Sequence, residues 1–190
     1  MEAANREITA LFDETITPKN VYGIWDCTVD SSSVALDGIT INSRDLAVHL
    51  NGCPCAALLA VTLGVEADLL IRRLSLQNME KAVIAQEVCT AKLEAYCDEC
   101  TAVIMQTSRL AGLYPAPRFS PGYGDFAITW QKNILQLLNG ARIGLSLTNG
   151  YMLVPSKSIT AIIGFTKEKK QHLNKCAYCS DTECEFRETA

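Results

Sequence analysis

The segment "RFSPGYGD", residues 118–125, carries the groups on which the fold prediction depends. Arg118 has a planar guanidinium that suits bidentate binding of a carboxylate or phosphate. Pro121 and Gly122 bend the backbone and let main-chain amides approach a ligand, and Tyr123 adds a flat apolar face and a hydroxyl. Such a turn suits an anionic group beside a planar or cationic one. The same residues also suit an ordinary surface turn that leads into a helix.

Upstream of this turn, residues 78–111 form the longest helical pattern of the chain, free of glycine and proline and rich in Ala, Glu, Lys and Leu. The apolar run "CPCAALLAVTLG", residues 53–64, is interpreted as a central strand, and its periodicity leaves a buried helix open. Asp37-Gly38 between two short apolar runs predicts a hairpin. Ser43 is predicted to be the N-cap of a short helix.

Downstream of the turn, Asp125 is predicted to be the N-cap of a helix over residues 126–140. Residues 142–148 and 158–165 read as short strands. Strands and helices in mixed order, joined by hairpin-length connections, predict an α+β fold. We expect a largely antiparallel twisted sheet with flanking helices, one of them long.

Composition and charge exclude several classes of protein. The 190 residues are 48% hydrophobic and 20% charged, as in a folded globular protein with a core. The formal net charge of −4 argues against a nucleic-acid partner, which would need a basic patch. No apolar run approaches the roughly 20 residues that span a bilayer. We therefore expect a cytoplasmic protein that contacts neither nucleic acid nor membrane.

A second tyrosine and one glutamate have settings that matter only in the right fold. Tyr151 follows Asn149-Gly150 at a predicted turn between two strands and precedes Pro155. By itself it would read as an ordinary packed tyrosine. Glu94 lies midway along the long helix, where a glutamate is usually solvated.

Three segments together resemble a known family. "RFSPGYGD", the later "NGYMLVPSKS" (149–158) and "KLEAYCDE" (92–99) of the long helix are similar to the reactivation domain of cobalamin-dependent methionine synthase, which binds S-adenosylmethionine. The resemblance extends over roughly residues 84 to 165. It implies a methionine synthase activation-like domain over residues 1–170, as a short, free-standing version.

The resemblance also implies roles for individual residues. Arg118 would hold the carboxylate of S-adenosylmethionine, with Glu94 near its amino group. Tyr123 and Tyr151 would line the site of the sulfonium and adenosine, and Gly122 would belong to the same turn. A tyrosine face attracts a cation such as the sulfonium by about 0.5 to 2 kcal/mol.

The implied function is that of an accessory protein in the reductive reactivation of methionine synthase. Cobalamin that has oxidised to Co(II) gains one electron and is trapped by the methyl group of S-adenosylmethionine. The domain holds the methyl group over the cobalt, which is catalysis by orientation. A flavodoxin-like or iron–sulfur protein would donate the electron.

Two departures from the family pattern stand out. Position 124, where the family usually has proline, is Gly124. A cobalamin-binding module, which carries an Asp-x-His-x-x-Gly signature, is absent. His49 and Gly52 have the right spacing, but Ala47 replaces the aspartate, so His49 is interpreted as a packed or capped helix-end histidine. Cobalamin would therefore come with a partner chain, a cobalamin-binding methionine synthase or another corrinoid protein.

The C-terminal tail, residues 171–190, is rich in cysteine. His172, Cys176, Cys179 and Cys184 could complete a tetrahedral zinc site, and the three cysteines alone could hold an iron–sulfur cluster. A redox-active Cys-x-x-Cys and a solvated tail without metal are the other readings. The tail also supports an alternative function for the chain. In that reading it is a metal-stabilised binding or scaffold subunit of a corrinoid methyltransferase system, with a vestigial ligand pocket.

Overall fold

The structure of the chain, a computed structural model, describes residues 2–107 and 110–168. These residues form two compact units. Unit 1 comprises residues 2–22, 59–104 and 131–160. Unit 2 comprises residues 23–58, 105–107, 110–130 and 161–168. The tail predicted for residues 171–190 lies outside the described residues, and so do its four candidate metal ligands.

Within residues 2–107 and 110–168, eight strands and five α-helices follow one another in mixed order. The strands are β1 (Lys19–Val29), β2 (Ser33–Leu36), β3 (Ile39–Asn42), β4 (Cys55–Thr62), β5 (Tyr114–Pro115), β6 (Ser146–Leu147), β7 (Leu153–Val154) and β8 (Ser158–Thr166). The helices are α1 (Glu2–Thr15), α2 (Arg44–His49), α3 (Val65–Gln77), α4 (Met79–Met105) and α5 (Gln131–Leu138). Two 3₁₀ turns, Ile128–Trp130 and Gly140–Ile143, flank α5.

A six-stranded sheet has the order β3-β2-β1-β4-β8-β5, and β6 pairs with β7 in a separate two-stranded sheet. The β1–β2, β2–β3 and β5–β8 pairs are antiparallel. This large antiparallel sheet with flanking helices, one of them 27 residues long, confirms the predicted α+β fold class.

β4 and β8, which are neighbours inside the six-stranded sheet, are its most fully buried strands. All eight residues of β4 are buried, and so are the last seven residues of β8, 160–166. A strand whose side chains are buried on both faces is covered on both sides of the sheet. β4 and β8 also have a neighbouring strand on each side. The prediction of a strand rather than a helix for "CPCAALLAVTLG" is confirmed.

The β2–β3 hairpin confirms the Asp37-Gly38 prediction. Leu36 pairs with Ile39, and both turn residues have positive φ, 46° for Asp37 and 77° for Gly38. A two-residue turn of this kind matches the twist of the flanking strands.

The core of unit 1 forms around α1 and α4. α1 buries Ile8 and Phe12 at helical spacing, and α4 buries Cys89, Cys97 and Cys100 along one side. These three cysteines are core residues, as small apolar side chains of this kind usually are. Asn78 caps α4, because its Oδ1 accepts a hydrogen bond from the amide of Lys81 at 3.1 Å.

Three predicted element boundaries are wrong. The long helix ends at Met105 rather than near residue 111. The helix predicted over residues 126–140 is shorter, because α5 comprises Gln131–Leu138 and is preceded by a 3₁₀ turn. The strand predicted for residues 142–148 overlaps the 3₁₀ turn Gly140–Ile143 at its start, and only Ser146–Leu147 is extended. Asn139 and Gly144 flank that turn in the left-handed conformation, which tightens the backbone before the strand can begin.

Candidate functional site

The segment that contains Arg118 and Tyr123 belongs to unit 2 and is closed by its own backbone. Phe119 forms a bridge with Ile162 of β8, in which each amide donates to the other residue's carbonyl at 2.9 and 2.8 Å. Further along, the Gly122 amide donates to the Phe126 carbonyl at 2.7 Å, and the Phe126 amide donates to the Tyr123 carbonyl at 3.0 Å. The turn is therefore a defined structure and not an open loop.

Gly122 has the bent conformation that the sequence predicted, and Gly124 has positive φ as well. Gly122 has φ +99° and Gly124 has φ +54°, values that other residues rarely adopt. A Cβ at position 124 would meet the carboxylate of Asp45. The expectation that main-chain amides face a ligand is not supported at two positions, because the amides of Gly122 and Tyr123 donate within the turn.

Asp125 does not cap the helix that follows it, contrary to the sequence prediction. Its carboxylate instead accepts hydrogen bonds at the start of α2, from the Ser43 hydroxyl at 2.5 Å and from the amides of Arg44 at 2.7 Å and Asp45 at 3.1 Å. In return, the Asp125 amide donates to Asp45 Oδ2 at 3.1 Å. The predicted N-cap role of Ser43 is confirmed, since its Oγ accepts from the Leu46 amide at 3.0 Å.

These hydrogen bonds set the charge of Asp125. Partial desolvation acts to raise the pKa of its carboxyl, but the hydrogen bonds from Ser43 and from the Arg44 and Asp45 amides outweigh it. The pKa of Asp125 is therefore lowered from its ordinary value. The carboxylate is ionised at neutral pH, as a cap of a helix N-terminus should be.

His49, at the other end of α2, also contacts the turn. Its Nε2 donates to the Pro117 carbonyl at 2.7 Å, and its ring packs against Phe119 with centroids 4.9 Å apart. The prediction of a packed helix-end histidine is confirmed. Neither Asp45 nor His49 was predicted to contact the turn, because both lie about 70 to 80 residues away in sequence.

Arg118 is half-buried and Tyr123 is 57% exposed. The Tyr123 ring packs against the Phe119 ring in a tilted arrangement, with centroids 6.4 Å apart and an interplanar angle of 53°. One short turn of unit 2 thus presents a guanidinium and an accessible aromatic face. These are groups that fit a carboxylate and a cationic or planar moiety of a small ligand.

In unit 1, Tyr151 lies in the connection between β6 and β7. The Tyr151 amide donates to the Thr148 carbonyl at 3.0 Å, and the Thr148 amide donates to the Met152 carbonyl at 2.9 Å. This is the pattern of a three-residue hairpin loop whose last residue takes the left-handed conformation. That residue is normally glycine, but here it is a half-buried tyrosine with φ +62°.

The segment after β7 is fixed by side chains that sequence reasoning missed. Asp68 of α3 accepts from the Ser156 amide at 2.9 Å and from its hydroxyl at 2.6 Å. The Lys157 ammonium donates to Thr90 Oγ1 at 2.9 Å and to the Gln86 carbonyl at 3.3 Å on α4. The predicted "PSKS" motif therefore anchors the chain that follows the Tyr151 hairpin.

Glu94 is exposed on α4, also in unit 1. Two residues later on α4, the Tyr96 hydroxyl accepts a hydrogen bond from Asn20 Nδ2 at 2.7 Å. Burial raises the pKa of Tyr96, and the hydrogen bond from Asn20 offsets this increase only in part. Tyr96 is thus a structural link between α4 and β1.

The predicted ligand residues are divided between the units. Arg118, Gly122 and Tyr123 belong to unit 2, and Glu94 and Tyr151 belong to unit 1. A cleft of about 570 Å³ in unit 2 contains none of them. It is lined by Asn51, Gly52, Cys53, Pro54, Thr166, Lys167 and Glu168. The ligand roles of the five residues therefore stay predictions.

Across residues 2–107 and 110–168, no cluster of His, Cys, Asp or Glu side chains has the arrangement of a metal site. Cys27, Cys53 and Cys55 lie in unit 2, and the Cys27 thiol donates to the Cys53 carbonyl at 3.0 Å. Burial raises the pKa of Cys27 to about 12, with further contributions from Cys53, Cys55 and Asp26. This thiol is therefore protonated and unreactive at neutral pH. In the same part of the chain, every helix is too short or too polar to cross a bilayer.

Comparison with known proteins places the fold but not the sequence family. The chain has an α+β architecture with a large antiparallel sheet and flanking helices. It is similar to a crystal structure of the MetH reactivation domain bound to AdoHcy, with a TM-score of 0.68 and 16% sequence identity. The match covers 90% of this chain and 66% of that chain. No family model and no curated protein matches the sequence.

Proposed function

We propose that this chain binds S-adenosylmethionine and acts as an accessory protein in the reductive reactivation of a cobalamin-dependent methionine synthase. The observation that carries the proposal is the fold, which this chain shares with a domain crystallised with AdoHcy. AdoHcy is S-adenosylmethionine without its methyl group, so a site for one suits the other.

The turn of unit 2 has the chemistry that this ligand needs. The guanidinium of Arg118 is the partner of the amino-acid carboxylate, in the bidentate geometry that arginine and carboxylate favour. The exposed face of Tyr123 attracts the sulfonium. Gly122 has no side chain to obstruct a ligand. Among the described residues, Ile128 Cδ1 lies 3.4 Å from the position that a Cβ of residue 122 would take.

Two residues of unit 1 complete the proposal. Tyr151 supplies a second aromatic ring, and the carboxylate of Glu94 pairs with the amino group of the ligand. The unfavourable backbone of Tyr151 supports a functional role. A tyrosine with φ +62° is less stable than a glycine there, and such residues cluster at ligand sites.

We propose that the cobalamin belongs to a separate chain, a methionine synthase or another corrinoid protein, and that a flavodoxin-like or iron–sulfur protein supplies the electron. The donated electron would convert Co(II) to Co(I) on the partner, which would accept the methyl group as CH₃⁺ from the sulfonium of S-adenosylmethionine, and AdoHcy would be released. This chain's own contribution is to hold the ligand in one orientation, which is catalysis by proximity. The proposed setting is methionine biosynthesis in the cytoplasm.

Calorimetric titration of the chain with S-adenosylmethionine and with AdoHcy tests the ligand. We expect saturable binding of both. Arg118→Ala should weaken binding at least about thirtyfold, the loss of about 2 kcal/mol that follows removal of one partner of a charged pair. Arg118→Lys should recover only part of the affinity, since an ammonium lacks the planar fork. Arg72→Ala, which removes an exposed arginine of α3, is the control and should bind normally.

The activity is tested by mixing the chain with its host's cobalamin-binding methionine synthase in the Co(II) state, a reductant and S-adenosylmethionine. We expect the methylcobalamin spectrum to grow only when this chain is present, and not with Arg118→Ala. An absence of binding heat in the wild-type chain would contradict the proposal. It would favour the scaffold subunit with a vestigial pocket instead.

A further inference from the structure

We propose that the short helix α2 is a clamp that holds the Arg118–Tyr123 turn in its binding conformation, and that Asp125 and His49 are the positioning residues of this clamp. The proposal deepens the proposed function and rests on it for the identity of the ligand. Its structural part concerns unit 2 alone.

The first end of the clamp is the N-terminus of α2. Asp125 accepts three hydrogen bonds there, from the Ser43 hydroxyl and from the amides of Arg44 and Asp45, at 2.5 to 3.1 Å. The Asp125 amide in turn donates a hydrogen bond to Asp45 Oδ2. Four hydrogen bonds thus join two segments that are about 80 residues apart in sequence. An ionised acceptor makes such bonds stronger than neutral ones.

The second end of the clamp is the C-terminus of α2. His49 donates to the Pro117 carbonyl at 2.7 Å and stacks against Phe119. Phe119 is also paired with Ile162 of β8 through two backbone hydrogen bonds. Arg118 therefore lies between Pro117, whose carbonyl is held by α2, and Phe119, whose backbone is held by β8 and whose ring contacts His49.

The clamp fixes the turn at both of its ends. Pro117 is tied to one end of a six-residue helix and Asp125 to the other end. A segment whose ends are tied to one rigid element loses most of its freedom before a ligand arrives. The turn then loses less conformational entropy when a ligand binds. Preorganisation of this kind raises affinity.

The experiment compares three variants of the full chain, first without ligand. Hydrogen exchange is followed at the amides of Phe119, Gly122 and Phe126, which donate within the turn or to β8. In His49→Leu we expect these amides to exchange about tenfold faster, the factor given by one lost hydrogen bond of ordinary net strength. In Asp125→Ala, which loses three hydrogen bonds to an ionised acceptor, the acceleration should be at least as large. His49→Gln should restore slow exchange, because its amide can donate to the Pro117 carbonyl.

The second readout is the dissociation constant for S-adenosylmethionine. The dissociation constant should rise about tenfold in His49→Leu and at least as much in Asp125→Ala, by the same factors as the exchange rates. In His49→Gln it should return towards the wild-type value. The control is Asn78→Ala, which removes the cap of α4 and lowers global stability without touching α2. It should leave both the turn amides and the dissociation constant unchanged.

The outcomes separate the clamp from the proposed function. Unchanged exchange in the turn, or equal acceleration of the α4 amides, would overturn the clamp whether or not the chain binds ligand. Faster exchange with an unchanged dissociation constant would overturn the positioning role. If the wild-type chain binds no S-adenosylmethionine, the proposed function fails, and exchange alone decides whether α2 holds the turn.

Discussion

Replacing Tyr151 by glycine separates the two demands on the β6–β7 hairpin, stability and ligand binding. Tyr151 has φ +62° at the last position of a three-residue loop, the place where glycine is favoured. We expect Tyr151→Gly to be more stable than Tyr151→Ala. At an ordinary position the order is the reverse, with glycine less stable than alanine by roughly 0.5 to 1 kcal/mol.

The magnitude follows from the backbone. A Cβ in the left-handed region costs about 1 to 2 kcal/mol, and Tyr151→Ala keeps that cost while losing the ring. Tyr151→Gly loses the same ring but removes the Cβ. Set against the larger entropy of glycine in the unfolded chain, about 0.5 to 1 kcal/mol, the glycine variant should be about 0.5 to 1 kcal/mol more stable than the alanine variant.

Urea denaturation followed by circular dichroism measures the difference, with equal m-values as the check that both variants unfold alike. The control pair is Met152→Gly and Met152→Ala. Met152 is the next residue, 59% exposed, and should show the ordinary order. If alanine is the more stable residue at position 151 as well, the backbone argument is wrong. Both Tyr151 variants should bind S-adenosylmethionine more weakly, because both lack the ring.

Two further predictions concern ionisable groups. The folded-state pKa of Asp125 lies below its unfolded value of about 3.9, so the stabilisation it gives is present above that pH and is lost as the pH falls through the folded pKa. The difference in unfolding free energy between the wild-type chain and Asp125→Asn should therefore shrink between pH 6 and pH 3 in urea titrations, and a constant difference would contradict the assigned hydrogen bonds. Cys27, with a pKa of about 12, should react with iodoacetamide at pH 8 at least about a thousandfold more slowly in the folded chain than in urea. Mass spectrometry of the Cys27 peptide measures this, and equal rates would show that the thiol is not buried.

The parts of the fold that sequence could predict are those set by local rules. Asp37-Gly38 identified a hairpin because only a few residue pairs accept two positive φ values. The apolar run of β4 predicted a buried element and was interpreted as a central strand, but its periodicity alone left a buried helix open. In both cases the physical cause lies within the segment itself.

The parts that sequence could not predict depend on distant partners. Asp125 looks like an N-cap of the next helix, yet its carboxylate caps α2, whose residues are about 80 positions earlier. Asn149-Gly150 suggests where the turn lies, but it does not reveal that the positive φ falls on Tyr151 instead. The residues of the resemblance were found from their motif, whereas Asp45, His49 and Asp68, which hold those motifs in place, have no local signal.

Position 124 gives a direct test of how the turn is held. The motif that "RFSPGYGD" resembles usually has proline at this position, so Gly124→Pro would seem a harmless change. We expect the opposite. Proline requires φ near −65°, whereas Gly124 has φ +54°, and its Cβ would meet the Asp45 carboxylate.

Gly124→Pro should therefore destabilise the chain by more than about 1 kcal/mol and weaken S-adenosylmethionine binding. Gly124→Ala separates the two causes, because it introduces the Cβ without fixing φ. Adding Asp45→Ala should recover part of the loss in Gly124→Ala but little of it in Gly124→Pro, whose φ conflict remains. A Gly124→Pro chain as stable as the wild type would mean that the turn can adopt the proline conformation. In that case the hydrogen bonds between Asp125 and α2 would not determine the conformation of the turn. A proline ring requires a negative φ at position 124, whereas the turn that these hydrogen bonds hold has a positive φ there.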